Sequence, residues 1–218
     1  MLNTEYMLGL IPLFNRAAVL TVQLTVLGVF FALLIGIIGN LAYFYRVPVL
    51  TEIMKGYTEL SRNTPILAQL FFLFFGLPQM GIQFSGFVCG VIALAFLVGS
   101  YMIEAIRGGI EAVGKTQLET AYSLGLSRTQ VLVYVILPQA VRTALPALAA
   151  NVIFLLRESS LVGVIAVPEL MHIARSQIGM FFRTDEVLIV LTMYYLVLVG
   201  PLSILFFLLE RRLRYGRA

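Results

Sequence analysis

The chain has 218 residues, of which 60% are hydrophobic and 12% are charged, and its formal net charge is +4. Soluble globular domains carry about 25% charged residues, so the composition excludes a soluble protein and indicates an integral membrane protein. One cysteine and one histidine leave no internal disulfide and no metal-ligand cluster of ordinary spacing.

Five apolar stretches are long enough to cross a bilayer, which takes roughly 20 mostly apolar residues. They are too continuous for the strands of a β-barrel, so we predict an all-α membrane protein with one membrane domain over residues 1–218. The first stretch is too long and too far from the start for a cleavable signal. The predicted spans are 18–44, 59–77, 87–106, 143–163 and 187–209.

Lys and Arg are unevenly distributed between the loops on the two sides. One set of alternate loops carries ten of them and the other set carries three. Short loops rich in these residues stay in the cytoplasm, so we predict a cytoplasmic C-terminus and an external N-terminus. The asymmetry explains the net charge without a nucleic acid partner. The ten are Arg46, Lys55, Arg107, Lys115, Arg128, Arg142, Arg211, Arg212, Arg214 and Arg217, and the three are Arg16, Arg175 and Arg183.

An amphipathic segment of 36 residues, Arg107 to Arg142, follows the third span on the predicted cytoplasmic side. Thr116 with Glu119, and Ser127 with Gln130, both match the capping box, in which two side chains satisfy free N–H groups at the start of a helix. The pattern predicts two short helices in the loop over 107–142.

Two residues predict where these short helices end. Gly125 suits a left-handed stop between them. The second helix is expected to end near Pro138, because the residue before a proline is disfavoured in a helix. A membrane protein that holds such a structured segment outside the lipid is expected to contact a partner there.

A second structured loop precedes the fifth span on the predicted outer side. Pro168 suits the first position of a helix, with Glu169 in the first turn and Arg175 in the last turn, where their charges complement the helix dipole. We predict a short helix at the outer rim, which either closes the bundle or contacts a partner.

The stretch GIEAVGKT, Gly109 to Thr116, matches the phosphate-binding pattern G-x-x-x-x-G-K-[ST]. A phosphate loop must follow a buried strand, whereas this stretch follows an apolar run of helix length. Magnesium also needs an acidic residue at the end of a second strand, and the single aspartate, Asp185, follows FFRT. We interpret the match as chance and expect ATP to bind another chain.

The same segment resembles a known family signature. Glu119-Thr-Ala121, then Gly125, then Val135-Ile-Leu137-Pro138, resembles the EAA motif of permease subunits in ATP-binding-cassette (ABC) importers. The resemblance implies the type I importer permease fold, with five spans and a coupling helix. It also implies that the chain is not an enzyme and that ATP and magnesium bind a separate subunit.

Further blocks resemble the polar amino acid uptake branch, of the histidine, glutamine and arginine type. The resemblance implies an amino acid importer of a bacterial inner membrane. Its expected partners are cytoplasmic ATP-binding subunits, an external solute-binding protein, a second permease subunit that is identical or similar, and membrane lipid. The blocks are SRNTPILAQLFFLFFGLP (Ser61 to Pro78), YMIEAIRGGI (Tyr101 to Ile110) and LLRESSLVGVIAVPEL (Leu155 to Leu170).

In that family the EAA segment docks on the ATPase. Small Ala121 is expected to permit close approach, Gly125 to permit the bend, and Glu119 to meet a cationic partner. Without the resemblance, an amphipathic helix lying on the lipid surface fits as well. The residues implied in coupling are Leu118, Glu119, Ala121, Tyr122 and Gly125.

Of the charged residues within the predicted spans, four are candidates for a functional role, because charges at this depth usually line a cavity or pair. Arg62 and Glu104 are close enough to a membrane boundary to snorkel or to pair there. A zwitterionic amino acid needs an acceptor for its ammonium and a donor for its carboxylate. The alternative is a structural charge network between subunits. The predicted pocket uses Glu104 and Glu158 for the ammonium, Arg157 for the carboxylate, and the hydroxyls of Ser159 and Ser160.

Two other classes of function remain open at this point. One is a secondary transporter driven by an ion gradient, against which the five spans and the lack of an inverted repeat argue. The other is a membrane scaffold that transports nothing. The charges of the predicted pocket suit a neutral polar, cystine-like or cationic amino acid better than an acidic one.

Overall fold

A computed structural model describes residues 2–214, which lie in helices and short connections without any strand. This confirms the all-α class. Arg217 lies outside the described residues, as does the side chain of Arg214. The helices are α1 (Thr4–Tyr45), α2 (Pro48–Asn63), α3 (Ile66–Gln79), α4 (Gly86–Glu111), α5 (Lys115–Ser123), α6 (Arg128–Ile165), α7 (Leu170–Phe181) and α8 (Thr184–Arg214).

Among these residues four helices, α1, α4, α6 and α8, are long and apolar enough to cross a membrane. The predicted continuous span 59–77 is wrong, because the chain leaves the helix between α2 and α3. Thr64 is extended, with φ −114° and ψ 132°, as expected for a residue before a proline. Helix α3 alone is about 21 Å long, which is shorter than the roughly 30 Å hydrocarbon core.

Helices α2 and α3 together still carry the chain across. The end of α1 and the start of α6 lie on one side, where Arg128 donates a hydrogen bond to the carbonyl oxygen of Phe44. Helix α4 begins on the other side, where a Cβ built at Gly86 would lie 3.0 Å from Cγ2 of Val167. The chain therefore crosses five times, once through a broken helix.

Helix α1 begins fourteen residues earlier than the predicted span at residue 18. The side-chain oxygen of Asn3 caps it by accepting a hydrogen bond of 2.9 Å from the backbone N–H of Tyr6. Pro12 and Arg16 interrupt the apolar pattern here, which is why the pattern misses this part. Packing against α7 and α8 stabilises the extension, through a cluster of Leu10, Phe14, Ala17, Leu170, Ala174, Val187, Val190 and Leu191.

Helix α6 corrects the boundaries predicted for the loop over 107–142 and for the fourth span. It runs without a break from Arg128 through Pro138 to Ile165. A π-helical stretch, Val131–Ile136, lies directly before Pro138 and changes the hydrogen-bond spacing where the proline lacks an N–H. The predicted stop at Pro138 is therefore wrong, and the segment between α4 and α6 shortens to residues 112–127.

Helices α4 and α6 pack antiparallel and close together. A Cβ built at Gly109 would lie 2.5 Å from the carbonyl oxygen of Ala140. Near the other end, a Cβ built at Gly90 would lie 2.5 Å from Cγ1 of Val162. These two contacts set which residues of α4 and α6 lie at the same depth.

Candidate functional site

Helix α5 lies between α4 and α6, at the predicted cytoplasmic side. It begins at Lys115, and Gly114 takes the extended N-cap position with ψ 134° and no side-chain cap. Thr116 is therefore inside the first turn. The capping box predicted for Thr116 with Glu119 is wrong, because glycine can provide the start of the helix without a side-chain oxygen.

Gly125 ends α5 in the left-handed conformation, with φ +80°. Its N–H bonds the carbonyl of Tyr122 at 2.9 Å, and the N–H of Leu126 bonds the carbonyl of Ala121 at 3.2 Å. This pair of bonds is the Schellman motif. The left-handed stop predicted at Gly125 is confirmed.

The start of α6 carries the second predicted capping box, and this one is present. The hydroxyl of Ser127 accepts from the N–H of Gln130, whose side-chain oxygen accepts from the N–H of Ser127 at 2.8 Å. Two residues separate the stop at Gly125 from the start at Arg128. The turn between α5 and α6 is therefore held on both sides by hydrogen bonds.

The inner face of α5 packs against the chain itself. Ala121 is 4% exposed and belongs to a cluster with Val131 and Ile136, while Leu118 is half-buried against it. Within the chain, Ala121 approaches α6 closely. The small side chain lets the two helices meet.

The outer face of α5 holds the other predicted coupling residues and one that the motif did not mark. Glu119, Tyr122 and Gly125 are exposed. Leu124 is 76% exposed, directly before the glycine stop. A large apolar side chain at the tip of a polar segment is the signal that could have identified Leu124 from the sequence.

Side-chain bonds tie this segment to the membrane helices. The guanidinium of Arg128 bonds the carbonyl oxygen of Phe44 and lies 5.1 Å from the ring centroid of that residue. The hydroxyls of Tyr45 and Thr129 are 3.1 Å apart. A displacement of the segment would therefore be transmitted to the end of α1 as well as to α6.

At membrane depth, Arg62 at the end of α2 forms an ion pair with Glu104 on α4. The guanidinium carbon lies 4.7 Å from the centroid of the Tyr101 ring. Glu104 also borders a cavity of about 300 Å³ whose lining includes Thr143 and Asn151. Of the two expectations for Arg62 and Glu104, snorkelling or pairing, the structure shows pairing.

The other predicted pocket residues lie where α6 changes from α-helical to 3₁₀ geometry, at Ser159. Arg157 is exposed and Glu158 is half-buried, and within residues 2–214 neither forms a side-chain hydrogen bond or ion pair. The hydroxyl of Ser159 is buried and donates to the carbonyl of Leu156 at 2.7 Å, and Ser160 is half-buried. Apart from the electrostatic interaction of Arg157 with Glu158, these two charges have no partner among residues 2–214.

The predicted pocket residues fall into two regions. The lining of the Glu104 cavity does not include Arg157, Glu158, Ser159 or Ser160. Judged from the two glycine contacts, Glu158 lies level with about residue 94 of α4, ten residues from Glu104. Ten helical residues span about 15 Å. Within residues 2–214, Glu104 and Glu158 therefore do not line this cavity together.

The short outer helix predicted to begin at Pro168 is α7, which begins at Leu170. Glu169 is its N-cap and not part of its first turn, and Arg175 lies near its middle. The Glu169 carboxylate is fully buried and accepts N–H bonds from Met171 at 2.8 Å and His172 at 2.6 Å. Burial raises the pKa of this carboxyl to about 7, although the two N–H bonds and Arg175 oppose the rise.

Four helices long and apolar enough to cross a membrane, with the short helix α5 between two of them, define an integral membrane protein. The chain belongs to the family described as binding-protein-dependent transport system inner membrane component, whose model matches residues 16–215. It is therefore an ABC permease subunit of an inner membrane, with the ATPase in a separate subunit. The sequence prediction of this family and of a non-enzymatic role is confirmed.

Curated relatives share most of the chain. A probable glutamine ABC transporter permease protein of Bacillus subtilis is 39% identical over 72% of this chain and 73% of its own length. The L-cystine transport system permease protein of the same species is 33% identical over 93% of this chain and 87% of its own. The glutamine transport system permease protein of Escherichia coli is 32% identical over 94% of each.

Solved structures share the fold. A crystal structure of an amino acid ABC transporter with histidines contains a chain that is 35% identical, with a TM-score of 0.90 over 97% of this chain and 99% of that chain. An inward-facing structure of the MetNI methionine ABC transporter aligns with a TM-score of 0.74 over 94% of this chain and 98% of that chain at 19% identity, which supports the fold alone. The predicted type I permease fold is confirmed.

Proposed function

We propose that the chain is the permease subunit of an ATP-driven importer for a polar amino acid, for which L-glutamine is the first candidate. The observation that carries the proposal is the anchored α5 segment, whose exposed tip at Gly125 meets the requirement for an ATPase docking site. The names of the relatives, which include glutamine and cystine permeases, support the substrate class. An ion-driven transporter or a scaffold has no such support.

The importer contains two permease subunits, either two copies of this chain or this chain with a similar one. Two ATP-binding subunits lie on the face that carries α5, and an external solute-binding protein delivers the amino acid. The excess of Lys and Arg in the loops of that face supports a cytoplasmic location for it and an external N-terminus. Reagents that label a cysteine only from outside distinguish this orientation from its reverse.

Docking on the ATPase uses the exposed face of α5. Glu119, Tyr122 and Leu124 project there beside the bend at Gly125. A partly exposed aromatic and a large apolar side chain are typical anchors of protein interfaces. Leu118 and Ala121 lie on the opposite face of α5 and hold it against α6.

Glu158 and Arg157 form the substrate site near the middle of the membrane, with Ser160 beside them. Free charges at this depth are unfavourable unless a ligand or a second subunit meets them. A carboxylate suits the ammonium of an amino acid, and the fork of Arg157 suits its carboxylate. Their position at the change to 3₁₀ geometry agrees with a functional joint in α6.

Reconstitution tests the proposal. The permease, its ATPase and its binding protein are placed in proteoliposomes, and uptake of labelled L-glutamine, L-cystine, L-arginine and L-glutamate is measured with and without ATP. ATP-dependent uptake of a polar amino acid is expected. Uptake by the lone chain along an ion gradient, or no uptake of any amino acid, would overturn the proposal.

A Glu158→Gln variant tests the substrate site in the same assay. The loss of the carboxylate is expected to weaken the apparent affinity about tenfold, as the loss of a charge-assisted hydrogen bond predicts. Glu111→Gln is the control, because Glu111 is exposed at the end of α4. Unchanged affinity and substrate preference in Glu158→Gln would remove this residue from the site.

A further inference from the structure

The ion pair between Arg62 and Glu104 lies where α2 breaks before Pro65. It joins the end of a discontinuous helix to the middle of a continuous one. Discontinuous helices at membrane depth often form substrate or ion sites, because their ends present unpaired backbone groups and charged side chains. The pair therefore lies in a region that is suited to binding a substrate or an ion as well as to packing.

The pair is incompletely satisfied. Nε of Arg62 is buried and has no hydrogen-bond partner within residues 2–214. The side-chain oxygen of Gln69, on the other side of the break, is also buried without a partner there. Buried donors and acceptors usually have partners, so the two unsatisfied groups show that the chain itself does not fully satisfy the polar groups at this break.

Glu104 faces open space on its other side. The cavity of about 300 Å³ has Tyr101, Glu104, Thr143 and Asn151 among its lining residues, with Gly109 at one end. This volume is at the lower limit of small-molecule sites, which suits a single amino acid. The hydroxyl of Thr143 and the amide of Asn151 add a donor and acceptor to the carboxylate of Glu104.

The cavity is separate from the site proposed at Glu158. The two carboxylates are about 15 Å apart along the helix axes. An α-amino acid carries its ammonium and carboxylate on one carbon, so one molecule cannot contact both regions. The cavity lies nearer to α5, because Gly109 is two residues from the end of α4.

We propose that this cavity is a second, exit-side station for the transported amino acid and that Arg62 is its latch. When the station is empty, Arg62 pairs with Glu104 and neutralises it. When the amino acid arrives from Glu158, its ammonium binds Glu104 and releases Arg62. The station rests on the importer function proposed above and adds a specific binding site to it.

Cysteine protection tests occupancy without requiring a measurement of transport. Ala147→Cys places a thiol in the lining of the cavity and leaves Glu104 in place. In inside-out vesicles that hold the complete transporter, a membrane-impermeant thiol reagent is expected to modify it, and L-glutamine is expected to slow the modification. Ala150→Cys is the control, because Ala150 is exposed on α6 and does not line the cavity. The native Cys89 is fully buried.

Variants at the pair then test the chemistry. Adding Glu104→Gln to Ala147→Cys is expected to raise the half-protecting concentration of L-glutamine about tenfold, as for a lost charge-assisted hydrogen bond. Arg62→Gln removes the competitor and is expected to lower that concentration while slowing transport at saturating substrate, whereas Arg62→Lys retains the pairing. Thr143→Val, which is close in shape, provides a second weakening variant if Glu104→Gln does not assemble.

The outcomes separate this inference from the importer function. If the reconstituted transporter takes up another amino acid of the panel, that amino acid replaces L-glutamine as the protecting ligand. Uptake without protection of Ala147→Cys would overturn the second station and leave the importer function standing. Equal protection of Ala147→Cys and Ala150→Cys, or protection that is insensitive to Glu104→Gln, would also overturn it.

Discussion

The guanidinium of Arg128, the first residue of α6, bonds the carbonyl oxygen of Phe44 at the end of α1. The same group lies over the rings of Phe44 and Tyr45, at 5.1 and 5.7 Å from their centroids. A cation at the C-terminal end of a helix also complements the helix dipole. Arg128 therefore connects the start of α6, which follows the turn after α5, to the end of α1.

We expect Arg128→Ala to reduce ATP-driven uptake roughly tenfold with less effect on ATP hydrolysis, because the lost bond involves a charged group. The comparison of uptake with hydrolysis in proteoliposomes measures this. Arg142→Ala is the matched control, since Arg142 is another exposed arginine of α6. Equal losses of uptake in both variants would contradict a specific connection through Arg128.

Gly125 offers a test of the bend itself. A leucine there is strained at φ +80°, by about 1–2 kcal/mol, even though a Cβ would meet nothing within 4 Å. Gly125→Leu is expected to separate hydrolysis from transport while the membrane helices remain folded. Gly114→Leu is the control, because Gly114 has equal space and φ −60°. Normal transport by Gly125→Leu with its ATPase would show that the docking assignment is wrong.

Leu124 tests which face of α5 meets the ATPase. Truncation of an exposed apolar anchor is expected to weaken binding by about 2 kcal/mol, so Leu124→Ser should lower the affinity for the ATPase roughly 30-fold. Co-purification at graded salt and detergent, followed by titration of the ATPase, measures this. Thr120→Ser is the control, because its hydroxyl keeps the bond to the carbonyl of Thr116. An unchanged affinity in Leu124→Ser would place the interface elsewhere.

Local signals predicted some of this segment from the sequence and missed the rest. Ser127 with Gln130 and the stop at Gly125 depend on neighbours in the chain, and both are present. The rule that a helix tends to end before a proline predicts a boundary at Pro138, where the helix in fact continues. The predicted span 59–77 ignores the same rule at Pro65, where α2 does end. The difference is the π-helical stretch before Pro138, which a local pattern does not reveal.

Tertiary packing decided the other differences. The motif marks Ala121 but does not reveal that its side chain packs against Val131 and Ile136 of its own chain. Glu104 and Glu158 suit the same chemistry, yet their depths depend on the register between α4 and α6. Gly90 and Gly109 set that register through contacts that are distant in sequence.

The register itself is testable with adjacent glycines. A Cβ at Gly109 would meet the carbonyl oxygen of Ala140 at 2.5 Å, whereas a Cβ at Gly108 would meet nothing within 4 Å. Gly109→Ala is expected to destabilise the fold by about 1–3 kcal/mol, as in other overpacked sites. Gly108→Ala is the control. Thermal unfolding in detergent measures both, and equal midpoints would contradict the close approach of α4 and α6.

The buried carboxyl of Glu169 is expected to make the stability of the outer region depend on pH. Burial raises the pKa of its carboxyl from 4.5 to about 7. Between these values the folded chain keeps a proton that the unfolded chain releases, so the stability from this group is complete below about pH 4.5 and is lost as the pH rises to 7. The difference corresponds to about 3 kcal/mol at most.

The thermal midpoint in detergent is therefore expected to fall as the pH rises from about 4.5 to about 7, and Glu169→Gln should reduce that fall. A glutamine does not ionise, and it keeps one of the two oxygens that accept the N–H bonds from Met171 and His172. Asp185→Asn is the control, because Asp185 is an exposed carboxylate at the start of α8. If Glu169→Gln keeps the full pH dependence of the wild type, Glu169 is not the group that causes it.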